Sequence, residues 1–217
     1  MKQFVIIGLG RFGESIARYL SKKGKNVLAI DTSEKKINKI KNDVTHAVQA
    51  DATDIDKLKE LGVNNFDVAV ISIGGDIHAN VLATLNVNEL EVPEVIVKAK
   101  NEQEEKLLMK IGADQVVNPE KDMGRKISFD VIHSNIFDYI EFAPNSSLIE
   151  ISVSPDIIGK SLEELSWENI KVNIIAIKRD NKLNLNPGGL ERIKEKDTLL
   201  VIGENDDLEK LQQQILG

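Results

Sequence analysis

The chain has 217 residues, and its 41% hydrophobic content is ordinary for a globular protein of one or two domains. The formal net charge is −7 and no long basic run is present, which argues against duplex nucleic acid or an anionic membrane surface as a partner. There is no cysteine, which excludes disulfides and thiol chemistry. The sequence contains neither a membrane span of roughly 18 apolar residues nor a signal-peptide pattern, so we expect a cytoplasmic protein.

Short β-branched runs alternate with amphipathic stretches through the first 118 residues. Continuous apolar strands separated by helices are typical of a parallel sheet that is covered on both faces. Six such strands predict a doubly wound, Rossmann-like α/β fold. We expect the strands at residues 4–7, 26–30, 46–49, 68–72, 95–98 and 115–117. Between the third and fourth strands, Thr53 is expected to cap a helix together with Asp56.

Residues 120–142 predict one long helix, with apolar positions that include Met123, Ile127 and Val131. Such a helix is too long and too apolar to cover one small sheet. This favours packing against a second subunit, with packing on its own domain as the alternative. The segment APNSS at residues 143–147 indicates a linker.

The hydrophobic pattern changes after this segment. Three strands are expected, at residues 148–154, 172–180 and 197–203, with a turn at residues 186–189 and a helical tail. Ser161 and Glu164 form a capping box between the first two of these strands. The sequence therefore predicts an α/β domain over residues 1–142, which includes the long helix, and a small α+β domain over residues 148–217.

Gly8, Gly10 and Gly13 form a G-x-G-x-x-G motif that directly follows the first strand and opens a helix. The first glycine permits a tight turn, the second lets the backbone approach a phosphate, and the third lets helix and strand pack closely. The helix N-terminus then offers free N–H groups and about half a positive charge. A plain strand–helix turn is the alternative, but one glycine would serve for that.

Two charged residues narrow the identity of the ligand. Asp31 closes the second strand about 20 residues on, where a ribose-binding carboxylate belongs, although it could also cap the next helix. No arginine follows it directly, which favours an adenosine with a free 2′-hydroxyl over NADP. Arg11 adds a full charge and a bidentate fork beside the glycine loop, which suits ADP or ATP. A solvated arginine in the first helical turn is the competing interpretation.

The sequence lacks a recognisable catalytic group. The three histidines, His46, His78 and His133, are dispersed, and none belongs to a catalytic pairing. His78 follows the fourth strand and could face a ligand there, but we expect a solvated helix histidine. No metal-ligand spacing, Ser/His/Asp motif or P-loop is present. We therefore expect a non-enzymatic nucleotide-binding protein, with a small NAD-dependent dehydrogenase as the alternative.

Several motifs occur in the order and at the spacing of one known family. The first part of the chain carries VIIGLGRFGESIARYL, AIDTSEKKI, AVQADATD, ISIGGDIHAN, VIVKAKN and KIGADQVVNPEKDMGRKI, and the second carries DIIGKSLEEL, VNIIAIKRD, LNPGG and IKEKDTLLVIG. These motifs resemble the RCK (regulator of K+ conductance) family, in particular its TrkA/KtrA-type cytosolic subunits of bacterial potassium uptake systems. The resemblance covers nearly the whole chain, and the combination of GRFG with PEKDMG is specific.

The resemblance implies a nucleotide-gated regulatory subunit. Such subunits bind ADP, ATP or NAD(H) at the switch point of the sheet and assemble through dimers into a homo-oligomeric ring, expected here to be an octamer. The ring controls a potassium-translocating integral membrane subunit from the inner face of the cell membrane, although a cation antiporter is another conceivable partner. For such gating the ligands must bind two ring conformations unequally.

The resemblance also assigns residues to ligands. Arg11 would approach the terminal phosphates, and Glu120 would lie near them at the dimer interface, where it could hold a divalent cation. Cyclic di-AMP would bind in the C-terminal domain, with Ile158, Asn173, Ile174 and Pro187 as the expected contacts. The full set expected at the nucleotide is Gly8, Gly10, Arg11, Phe12, Gly13, Asp31, Thr32, Ser33, Asp51, Ala52, Ile73, Gly74, Gly75, Lys98, Ala99, Lys100 and Glu120.

Two positions depart from the family pattern. Residues 100–106 form an acidic run where relatives tend to carry aromatic or histidine residues, so Glu104 is expected on a solvated helix face. Asn118 stands where a histidine is common before the Pro-Glu pair, which alters the expected surroundings of Glu120.

Overall fold

The structure is a computed structural model that describes residues 2–132, 136–165, 170–180 and 182–216. It divides into two compact units, Met1–Asp122 and Met123–Gly217. His133 and the rest of residues 133–135, which the sequence analysis placed in the long helix, lie outside the described residues. Among the described residues, no helix is both long enough and apolar enough to cross a membrane.

The first unit contains a six-stranded parallel sheet. Its strands are β1 (Gln3–Ile7), β2 (Asn26–Asp31), β3 (His46–Gln49), β4 (Val68–Ile71), β5 (Glu94–Lys98) and β6 (Gln115–Val117). The strand order is β3-β2-β1-β4-β5-β6, so the chain winds one way from β1 to β3 and the other way from β4 to β6. This order confirms the predicted doubly wound fold, and each predicted strand lies within one residue of the observed bounds.

Helices cover both faces of this sheet. They are α1 (Arg11–Lys22), α2 (Glu34–Ile40), α3 (Ile55–Glu60), α4 (Ile77–Glu89) and α5 (Glu102–Lys110). Side chains of β1 alternate between two apolar clusters: Val5 and Ile7 pack in one, and Ile6 packs in the other. All three are buried, as expected where a parallel sheet has a helical layer on each side.

The predicted cap of α3 is wrong by one residue. Asp54, whose backbone is extended, accepts hydrogen bonds from the amides of Asp56 (3.0 Å) and Lys57 (3.2 Å). Thr53 instead donates its hydroxyl to Asp51 at 2.8 Å. Asp54 takes the cap because its carboxylate is a strong acceptor for the first-turn amides, and the Thr53 hydroxyl already has a partner.

The predicted helix over residues 120–142 is wrong in its second half. Helix α6 runs over Pro119–Ile132, and strand β7 follows at Ile136–Ala143. The segment IFDYIEFA is rich in aromatic and β-branched residues, which favour a pleated strand once a partner strand is available. In α6, Met123, Ile127 and Val131 recur every four residues and are exposed in the single chain, Val131 to 75%.

The predicted linker at residues 143–147 is also wrong. Strand β7 pairs antiparallel with β8 (Ser146–Ser152), and the two are joined by a tight turn at Pro144 and Asn145. Asn145 has a φ of 68°, in the left-handed region that asparagine tolerates better than most residues. Proline and asparagine therefore mark a hairpin turn here.

The second unit contains a five-stranded antiparallel sheet in the order β10-β9-β11-β8-β7. The remaining elements are β9 (Val172–Arg179), β10 (Lys182–Asn184), β11 (Thr198–Glu204) and α7 (Asn205–Leu216). The three predicted strands and the helical tail are confirmed, whereas β7 and β10 were not predicted. The capping box of Ser161 and Glu164 is present and opens a single 3₁₀ turn.

Arg179 links β9 to the segment that precedes β11. Its guanidinium donates to both carboxylate oxygens of Asp197 at 2.7 Å and to Glu191 at 3.0 Å. The Asp197 side chain is fully buried. Burial alone would raise the pKa of Asp197, but the hydrogen bond from Arg179 and the amide of Lys194 outweigh it and hold the pKa below its usual value.

We predict that Arg179→Met lowers the free energy of unfolding by about 3 kcal/mol, because it leaves the Asp197 carboxylate buried without its counter-charge. This is the low end of the range for buried pairs, since Arg179 is itself partly exposed. Urea unfolding followed by circular dichroism measures the change. Lys210→Met, which removes a surface pair with Asp207, is the control and should leave the transition unchanged. Equal effects of the two substitutions would contradict the assignment.

Candidate functional site

The glycine motif forms a tight turn between β1 and α1. Gly8 has a φ of 92°, and a Cβ there would lie 2.7 Å from the carbonyl oxygen of Ser72. A Cβ at Gly13 would lie 2.0 Å from the carbonyl oxygen of Gly8, so the helix packs directly on the loop. A Cβ at Gly10 would meet no atom within 4 Å. The structure thus requires the first and third glycines for packing, whereas the second faces open space.

The amino end of α1 has no side-chain cap. Gly10 occupies the N-cap position and, without a side chain, satisfies none of the first-turn amides. Arg11 is the first residue of the helix and is exposed. Free amides and the positive end of the helix dipole make this terminus suitable for an anion.

A cleft of about 660 Å³ opens beside this helix end, at the carboxyl ends of β1, β2 and β4. It lies where the strand order reverses, which is where doubly wound sheets bind ligands. The residues that the sequence analysis predicted and that line the cleft are Gly8, Gly10, Asp31, Thr32, Asp51, Ala52, Ile73, Gly74 and Gly75. The predicted residues that do not line it are Arg11, Phe12, Gly13, Ser33, Lys98, Ala99, Lys100 and Glu120.

Sequence reasoning missed part of the cleft wall. Lys36, Thr53, Ser72 and Asp76 line it, and so does His78 in the first turn of α4. His78 is an exposed helix residue, as expected, and it also lines the cleft. The position of these residues in the sequence was the signal that was missed. Residues just after the carboxyl end of a parallel strand, or in the first turn of the helix that follows it, reach the same edge of the sheet.

Asp31 is buried at the cleft floor, where three protein groups donate hydrogen bonds to it. It accepts hydrogen bonds from the amides of Leu9 (2.7 Å) and Ser33 (2.8 Å) and from the Lys36 ammonium (2.8 Å). Burial raises the pKa of Asp31, but these three donors, Lys36 foremost, outweigh it and hold the pKa below its usual value. The alternative that Asp31 caps α2 is wrong, because Ser33 occupies that position.

Lys98 joins three of the predicted residues into one cluster. Its ammonium lies 2.6 Å from a carboxylate oxygen of Glu120 and 5.9 Å from the ring centroid of Phe12, at the start of α1. The Lys98 side chain is 15% exposed and that of Glu120 is 70% exposed. The hydrogen bond from Lys98 lowers the pKa of Glu120, which keeps the carboxylate ionised. A cation and an exposed carboxylate thus stand together beside the amino end of α1.

The two departures from the family pattern have structural roles. Glu104 accepts a hydrogen bond from the Lys100 amide at 2.9 Å, so it closes the first turn of α5 and is not simply a solvated residue. Asn118 is buried, and its side-chain oxygen accepts from the Lys121 amide at 3.1 Å. Asparagine is a preferred N-cap residue, which accounts for its place before α6.

The other predicted ligand positions are more scattered. In the described part of the chain, no group of three or more His, Asp or Glu side chains is placed to hold a metal ion.

Of the four residues expected to contact cyclic di-AMP, Ile158 and Asn173 are exposed, and Ile174 and Pro187 are half-buried. A cavity of about 300 Å³ in the second unit is lined by none of these four.

Known protein families match both parts of the chain. Residues 4–119 match the TrkA-N domain, and residues 148–216 match the TrkA-C domain. Ktr system potassium uptake protein C of Bacillus subtilis (strain 168) is 41% identical over 216 residues, which cover 99% of this chain and 98% of that protein. Ktr system potassium uptake protein A of the same organism is 38% identical over 214 residues, with 98% and 96% covered.

Solved structures share the fold. The RCK domain of GsuK aligns with a TM-score of 0.55 at 23% identity and covers 99% of this chain and 46% of that chain. The GsuK channel bound to NAD aligns with a TM-score of 0.54 at 21% identity, with 99% and 38% covered. At this identity the likeness concerns the fold alone.

We predict that Gly13→Ala lowers the free energy of unfolding by about 3 kcal/mol or more, because the added methyl group overlaps the Gly8 carbonyl. Gly10→Ala is the matched control, since its methyl group enters open space and should cost less than about 1 kcal/mol. Urea unfolding of both variants measures the difference. Similar stability of the two variants would contradict the close packing.

We further predict how stability depends on pH through Asp31. Its pKa is lower in the folded than in the unfolded chain, so the carboxylate stabilises the fold above the unfolded pKa of about 3.9. This contribution is lost as the pH falls through the folded pKa. The stability difference between the wild type and Asp31→Asn should therefore shrink below about pH 4. Urea unfolding between pH 2.5 and 7 tests this, and a pH-independent difference would contradict it.

Proposed function

The chain belongs to the TrkA family, whose TrkA-N and TrkA-C domains it carries in that order, and we propose that it is a nucleotide-gated regulatory subunit of a potassium uptake system. The observation that carries this proposal is the similarity, over nearly the full length of both chains, to a Ktr system potassium uptake protein. The RCK-type resemblance inferred from the motifs is thereby confirmed.

The ligand that we propose for the cleft is ADP or ATP, with NAD(H) as the alternative. The uncapped start of α1 and the open space at Gly10 suit the phosphates. Asp31 lines the cleft at the end of β2 and would meet the ribose. The GsuK channel, which shares the fold, has been solved with NAD bound. Arg11 and Lys98 would add positive charge for a terminal phosphate.

The proposed gating runs through Glu120 and α6. A terminal phosphate beside α1 would compete with Glu120 for the Lys98 ammonium, now 2.6 Å away. Glu120 lies in the first turn of α6, the helix that carries the exposed row of Met123, Ile127 and Val131. We propose that this row packs against a second copy, so that the phosphate charge acts at an interface between protomers. A difference of about 1–3 kcal/mol between two ring states is typical of such coupling.

The remaining expectations from the resemblance are part of the same proposal. The protomers would form dimers and then an octameric ring, in the cytoplasm and at the inner face of the cell membrane, bound to a potassium-translocating membrane subunit. A divalent cation would need phosphate oxygens or a second Glu120 to complete its ligands. Cyclic di-AMP would bind between two protomers, with Ile158, Asn173, Ile174 and Pro187 as contacts.

The dehydrogenase alternative rests on one observation. His78 stands on the cleft wall, so a titratable group is available there. Full-length similarity to potassium uptake proteins favours regulation over catalysis. Incubation with NADH and small carbonyl substrates tests the alternative, and sustained NADH oxidation would overturn the non-enzymatic assignment.

We predict that the full-length protein binds ADP and ATP, and that Arg11→Met weakens ATP binding about tenfold while leaving adenosine binding unchanged. The loss follows from removing a charge-assisted hydrogen bond to phosphate. Isothermal titration calorimetry measures both ligands, and light scattering with and without ATP measures assembly. Lys22→Met, at the far end of α1, is the matched control. A wild-type protein that ignores adenine nucleotides, or that stays monomeric throughout, would overturn the proposal.

A further inference from the structure

The carboxylate of Asp31 has one acceptor position left. Its Oδ2 atom accepts from both the Leu9 amide and the Lys36 ammonium, and its Oδ1 atom accepts from the Ser33 amide alone. Each carboxylate oxygen can accept about two hydrogen bonds. A ligand hydroxyl that donates to Asp31 therefore has room at Oδ1.

Lys36 stands beside this carboxylate and lines the cleft. Its side chain is about half exposed, whereas that of Asp31 is buried. The ammonium carries three hydrogen-bond donors, and the bond to Asp31 uses one of them. Donors thus remain on the cleft side, next to the acceptor that a ribose would meet.

We propose that Lys36 is a specificity-determining residue that, together with Asp31, forms hydrogen bonds with the ribose 2′-hydroxyl of the nucleotide. The hydroxyl donates to Oδ1 of Asp31 and accepts from the Lys36 ammonium. This inference rests on the proposed nucleotide site and deepens it, because it names the group that the cleft selects. The pair favours a ribonucleotide over its 2′-deoxy counterpart.

If Lys36 acted through its charge alone, a comparison of a ribonucleotide with its 2′-deoxy counterpart would give a different result. A lysine that only offsets the Asp31 charge or attracts phosphate would affect a ribonucleotide and a deoxyribonucleotide equally, since the two carry the same phosphates. A lysine that bonds to the hydroxyl affects only the ligand that has it. Hydrogen bonds to charged groups are strong enough for this difference to be measured.

The experiment compares ADP with 2′-deoxy-ADP by isothermal titration calorimetry on the full-length protein. We expect the wild type to prefer ADP about tenfold and Lys36→Met to reduce this preference to about twofold. Lys36→Arg should retain most of it, because the guanidinium keeps the charge and the donors. Lys39→Met, in the same helix but paired with Glu14, is the matched control and should keep the wild-type preference. Thermal unfolding checks each variant, with Lys36→Gln as a second neutral replacement.

The outcomes separate this inference from the proposed function. A wild type that binds neither nucleotide overturns the proposed function and this inference with it. A wild type that binds both nucleotides, with neutral variants at Lys36 that weaken both equally or neither, overturns only the role of Lys36. Equal affinity of the wild type for the two nucleotides also overturns it.

Discussion

The hydrogen bond between the Leu9 amide and the Asp31 carboxylate ties the glycine loop to the end of the neighbouring strand. A motif with glycines at three of its six positions loses much conformational entropy when it becomes ordered, and a hydrogen bond to a buried carboxylate helps to offset this cost. The bond holds Leu9, two residues before the start of α1 at Arg11, against the end of β2. Because Asp31 also accepts hydrogen bonds from Ser33 and Lys36, one buried carboxylate holds the glycine loop and the segment before α2 at the same edge of the cleft.

Two of the acidic side chains in and beside the cleft, those of Asp31 and Glu120, are paired with lysines. The carboxylate that would repel a polyphosphate is buried and paired with Lys36, whereas the helix terminus and Arg11 face outwards. Lys98, which does not line the cleft, forms an ion pair with Glu120 beside α1, so its charge is balanced. An ion-paired cation can change partners when a more strongly charged anion arrives, which is the physical basis of the proposed gating.

The two units contain different types of sheet, parallel in the first and antiparallel in the second. The parallel sheet of the first unit is buried on both faces, which leaves its carboxyl edge as the place for a ligand. The antiparallel sheet of the second unit is held by apolar packing and by the Arg179–Asp197 pair. The boundary between the two units falls within α6, so Glu120 belongs to the first unit and the exposed apolar row of the same helix belongs to the second.

Local patterns in the sequence determined the fold of the first unit and the place of its cleft. Runs of β-branched residues placed the parallel strands, and the spacing of Gly8, Gly10, Gly13 and Asp31 located the cleft, because strand ends and helix starts follow from short-range sterics and periodicity. Only the tertiary structure decided that residues 136–143 form a strand, since a strand exists through its pairing with β8. It also brought Lys36 and His78 to the cleft wall and paired Lys98 with Glu120. Those contacts join residues that are distant in sequence or lie on separate elements, and no local propensity encodes such distances.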